Sequence, residues 1–75
     1  MTDLLLVLTE SGEVDARLTL TPAGEVLITG EGEAAARSIL ATYVRRLDAS
    51  EAEAFSHLHK IGWSNGPLAL IPAPN

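Results

Sequence analysis

The chain reads as a small α+β protein. The expected architecture is a two-layer sandwich, β-β-β-α-α-β, whose four-stranded antiparallel sheet carries a helical hairpin on one face. Three observations predict this class. Leu4-Leu5-Leu6-Val7-Leu8 is apolar at every position, as in a central strand with something against both faces. The stretch from Asp15 to Thr21 alternates cleanly, with Ala16, Leu18 and Leu20 on one side and Arg17, Thr19 and Thr21 on the other. From Ala34 the apolar period becomes that of a helix, and two overlapping capping boxes then mark a second one.

Taken in order, the first strand runs from about Asp3 to Thr9 and ends in the Gly-containing turn Glu10-Ser11-Gly12-Glu13. The alternating second strand leads to Pro22-Ala23-Gly24, where Pro presets φ and Gly accepts a positive φ, the requirements of a short hairpin. Glu25-Val26-Leu27-Ile28-Thr29 is the third strand, and Gly30-Glu31-Gly32-Glu33 opens a helix. Its stripe is Ala36, Ile39, Leu40, Tyr43, Val44 and Leu47, with Glu31 and Glu33 at the start and Arg45 and Arg46 at the end, as the helix dipole favours. Asp48-x-x-Glu51 and Ser50-x-x-Glu53 each fit the start of the next helix, whose stripe is Ala54, Phe55, Leu58 and Ile61. Gly62 is placed to end it in a Schellman motif, with Trp63 folding back onto Leu58. Ser64-Asn65-Gly66-Pro67 then reads as a turn and Leu68-Ala69-Leu70-Ile71 as the last strand, stopped by Pro72 ahead of a short Pro-rich tail, residues 72–75. That last strand pairs with the open edge of the first, giving spatial order 4-1-2-3.

Composition narrows the function classes. Seventy-five residues form a single domain without cysteine, so no disulfide or thiolate zinc site supplements its core. Ten acidic residues against five basic give a net charge of −5, the wrong sign for nucleic acid or an anionic membrane. The longest apolar run is far shorter than a membrane span, and Met1-Thr2-Asp3 lacks the basic stretch of a signal peptide. The expectation is a cytoplasmic protein, or a virion-associated one if the source is a phage.

Candidate chemistry is sparse. His57-Leu58-His59 would place two imidazoles together on a strand, but on a helix they point about 200° apart and cannot share an ion. No serine sits in a Gly-x-Ser-x-Gly elbow or beside a recognisable His and acid. Thr29-Gly30-Glu31-Gly32 has the strand-to-helix placement of a phosphate loop without its Gly-Lys-Ser/Thr end, and its glutamates repel phosphate. Trp63 is read as the lid of the core in preference to an interface hot spot. No catalytic, metal or cofactor residue is therefore assigned, and no small-molecule substrate is evident.

What remains is association. A helical hairpin covers one sheet face, and the other keeps Leu5, Val7 and Leu27, flanked by Arg17, Thr19 and Thr21. An alternative registration exchanges the two residue sets of strand one, and either way some of its apolar side chains stay uncovered. Leu5, Val7, Arg17, Thr19 and Leu27 are the expected protein interface. The leading expectation is a non-enzymatic interaction or structural subunit that homo-oligomerises or docks into a larger assembly, such as a phage or other particle. The alternative is a small acidic inhibitor (an immunity protein, antitoxin or anti-defence factor) that neutralises a basic target by charge complementarity.

Overall fold

Three antiparallel strands, two helices and a terminal hairpin make up the structure, a computed structural model that describes residues 2–74. The strands of the meander are β1 (Asp3–Leu8), β2 (Val14–Leu20) and β3 (Val26–Thr29). The helices are α1 (Glu33–Leu47) and α2 (Glu51–Ile61), and the hairpin is β4 (Trp63–Asn65) with β5 (Leu68–Pro72). All pairings are antiparallel, in the order β3-β2-β1-β5-β4. The α+β class and the all-antiparallel sheet match the sequence reading; the count of four strands and the order 4-1-2-3 do not. Trp63-Ser64-Asn65, expected to be part of a helix cap and turn, is instead a fifth strand on the outer side of β5. Its two-residue loop, Gly66-Pro67, has φ of +62° at Gly66, the residue type and sign that a type II′ hairpin requires at its first central position.

One layer of side chains joins sheet to helices. Leu4 and Leu6 of β1, Ala16 and Leu18 of β2, Val26 and Ile28 of β3 and Leu70 of β5 pack against Ala36 and Leu40 of α1 and Ala54, Phe55 and Leu58 of α2. Phe55 is the only aromatic fully inside, so branched aliphatics supply most of the core volume. Both helices lie on this one face. Leu47 and Ile61, expected in the buried stripes, are exposed, each as the last residue of its helix.

The helix junction is built from local hydrogen bonds. Asp48 does not cap α2; it ends α1 at φ +50°, with its N–H donating to the Arg45 carbonyl and the Ala49 N–H donating to the Val44 carbonyl. That is the Schellman pair, formed here on Asp, one of the few non-glycine residues that tolerate the left-handed region. Ser50 is the N-cap of α2: its hydroxyl accepts from the Glu53 N–H, and the Glu53 carboxylate accepts from the Ser50 N–H. At the other end, Gly62 has φ +76° but ψ 171°, so the expected Schellman turn is absent and the chain swings straight into β4. β5 ends at Pro72, one residue beyond the expected Ile71, and the Ala73 N–H still donates to the Asp3 carbonyl at 3.0 Å. The last residue of the expected tail, Asn75, lies outside the described residues.

Candidate functional site

The meander contains one irregularity, and it shapes the face away from the helices. Leu6 pairs with Ala16, but Val7 pairs with Val14, so Asp15 is an extra residue bulged out of β2. The connection from β3 to α1 docks on this bulge. The Gly32 N–H donates to the Asp15 carbonyl at 2.8 Å, and a Cβ on Gly30 would lie 2.6 Å from the same oxygen. Gly30, at φ +112°, and Gly32, packed against the Asp15 carboxylate, are thus required by close approach. An anion arriving at the start of α1 would be repelled by the carboxylates of Asp15, Glu31 and Glu33.

The bulge also reverses the side-chain parity of β2. Val14 would share a face with Ala16 and Leu18 in a regular strand; beyond the bulge it sits opposite Val7, on the face away from the helices. The strand registers assemble that open face residue by residue. Thr29, Arg17, Leu5 and Ile71 form one row across β3, β2, β1 and β5. Leu27, Thr19 and Asp3 form the next, with Val14, Val7, Ala69 and Ser64 along the far side. All five residues expected at an interface, Leu5, Val7, Arg17, Thr19 and Leu27, lie on this face. They are not equally available. Leu27 is 55% exposed, whereas Val7 is only 8% exposed between its neighbours. Val14 at 52% and Ile71 at 41% belong with Leu27 as the protruding aliphatics, and neither was singled out by sequence reasoning. Three of the large apolar side chains left in solvent are therefore on one face, with no element covering them among the described residues.

Only two charged groups, Asp3 and Arg17, stand in those rows, and they neutralise each other. Arg17 Nε donates to Asp3 Oδ2 at 2.8 Å, and its terminal nitrogen lies 2.5 Å from the same oxygen. The Asp3 side chain is 12% exposed, the Arg17 side chain about half. The hydrogen bond from Arg17 holds the Asp3 carboxyl below its ordinary value, against the opposite push of burial. The centre of the face is thus electrically balanced on a chain of net charge −5, with Glu25 in phase with Leu27 at its rim. The remaining acidic residues occupy the connections, the first turns of the helices and the Asp15 bulge.

The two histidines of the His57-Leu58-His59 run are held apart on α2. His57 faces the Tyr43 ring, centroids 6.1 Å apart, and His59 lies over Phe55 at 6.4 Å, so the two imidazoles are engaged with different neighbours. No three His, Asp or Glu side chains among the described residues converge as a metal site. No described helix is long and apolar enough to cross a membrane. The class the fold defines is a two-layer α+β protein with one helix-covered and one open sheet face. No protein-family model matches the chain, and neither a curated protein nor a solved structure shows detectable similarity to it.

Proposed function

We propose that this chain is a non-enzymatic binding module that buries its open sheet face against another protein surface, in the first instance a second copy of itself. The observation that carries the reading is that Val14, Leu27 and Ile71 all protrude from the one sheet face that no helix covers, spread around the paired Asp3 and Arg17. For two copies of an acidic chain to associate, the contact must avoid the surplus charge, and this face is the part of the sheet that does so. Five strands spaced about 4.8 Å apart give a face of about 400 Å² in projection, so two copies bury about 800 Å² in total, the size of a weak, concentration-dependent contact. A larger assembly can use the same face in the same way.

The test is solution mass by light scattering over a concentration series, at low and at high salt. Association through a neutral apolar face persists in salt and strengthens slightly as repulsion between the −5 charges is screened. An acidic inhibitor binding a basic target behaves oppositely, losing affinity steeply as salt rises. A chain that stays at 7.9 kDa up to millimolar concentration rejects the self-association reading.

A further inference from the structure

On the other side of the sheet, a cleft of about 530 Å³ opens between the second half of α1 and β4, within the size range of small-molecule sites. It exists because of the fifth strand. The turn at Gly62 carries Trp63 out to the sheet edge, where it pairs with Leu70 and still packs on the core from the helix side. Ile39 and Tyr43 of α1 also line it, so two aromatic rings and an aliphatic side chain share the gap with the polar groups of Thr42, Ser64 and Asn65. Arg46 completes it. The guanidinium carbon stands 5.6 Å from the centroid of the Tyr43 ring, a cation–π arrangement that holds the charge beside the cleft.

Arg46 pairs with no carboxylate among the described residues, although acids outnumber bases two to one; the ion pairs there are Arg17 with Asp3 and Arg37 with Glu33. A position in the last turn of α1 explains why a cation is tolerated at residue 46, since the helix dipole favours it there. The i,i+3 spacing of Tyr43 and Arg46 on α1 lays the guanidinium over the ring and so fixes its charge at the rim of the cleft. We infer that this cleft binds a small aromatic carboxylate, with its ring against Trp63 and Tyr43 and its carboxylate on Arg46, where a planar guanidinium can pair with both oxygens. Asn65 supplies an amide at the same rim. The site is independent of the open face, and one molecule can carry both.

Trp63 is the only tryptophan in the chain, so its indole N–H gives one assignable NMR signal inside the proposed site. The experiment titrates the full chain with benzoate and, separately, with benzamide, which has the same ring and no charge. Benzoate is expected to shift the Trp63 indole signal saturably, with benzamide about tenfold weaker, the difference one charge-assisted hydrogen-bonding pair makes. Arg46→Gln, an exposed change on a helix surface, is expected to bring benzoate down to the benzamide level while leaving benzamide binding unchanged and the protein folded, with the thermal midpoint lowered by only a few degrees through loss of the dipole and Tyr43 contacts. Absence of a saturable shift, equal binding of the two compounds, or full benzoate affinity in Arg46→Gln each overturns the inference.

Discussion

Leu27 and Ile61 offer a matched pair of perturbations. Both are large aliphatics more than half exposed, one on the open sheet face and one at the end of α2 away from it. Replacing Leu27 by Ser removes about 100 Å² of apolar surface available to a partner, about 2.5 kcal/mol at the usual area coefficient. A twofold-symmetric pair carries the change twice, so the association free energy falls by about 5 kcal/mol before any relaxation of the interface. Allowing for imperfect burial, the dimer should weaken at least about a hundredfold. The monomer itself should barely change, since a half-exposed edge-strand residue contributes only about 0.5–1 kcal/mol to folding. The assay is sedimentation equilibrium on the native chain, Leu27→Ser and Ile61→Ser, with circular dichroism to show that all three are folded. Equal weakening by both substitutions, or by neither, refutes the assignment of the open face as the contact.

Three further outcomes follow from the same geometry. Gly30→Ala combines a φ of +112° with a collision against the Asp15 carbonyl, whereas Gly12→Ala adopts φ +74° in open space; the first should cost about 3 kcal/mol and the second about 1, a difference of roughly 8–16 °C in thermal midpoint. Ser50→Ala removes the hydroxyl of the capping box and should cost about 1 kcal/mol in urea unfolding, with Ser50→Asp restoring most of it. Asp3 has its pKa lowered in the folded state, so its bond to Arg17 contributes stability above the unfolded carboxyl value and loses it as pH falls through the folded one. Thermal midpoints recorded between pH 6 and pH 2 should therefore fall less in Asp3→Asn than in the native chain, the difference developing below about pH 4.

The elements whose positions were legible in the sequence are those specified by a local pattern. Alternation assigned β2, the helical period assigned α1 and α2, and the Ser50–Glu53 box gave the start of α2 as the structure has it. Where two local rules competed, pattern was not enough. Asp48 and Ser50 both satisfy a capping box, but only one residue can start the helix, and the other was needed in the left-handed region to end α1. Similarly, Gly62 satisfies the rule for a helix stop, yet its ψ depends on whether a strand follows. Three residues, Trp63-Ser64-Asn65, are too few to show a period of two, so β4 is visible only once β5 is there to pair with it.

The open face was half legible for a related reason. Leu5, Arg17, Thr19 and Leu27 follow from counting alternate residues, and the registers bring them together. Val14 does not follow, because the count fails at Asp15. Nothing in Glu13-Val14-Asp15-Ala16 advertises a bulge on its own; the signal is at a distance, in Gly30 and Gly32, whose missing side chains make room for the Asp15 backbone and carboxylate. Ile71 was hidden differently, within a strand apolar at nearly every position, where alternation carries no information. The same bulge that seats the start of α1 on the covered side thus turns a valine outward on the other. A contact surface at Val14, Leu27 and Ile71 is consequently tied to correct docking of the helix layer: loosening the Gly30–Gly32 turn should disturb Val14 first and Ile71, two strands away, least.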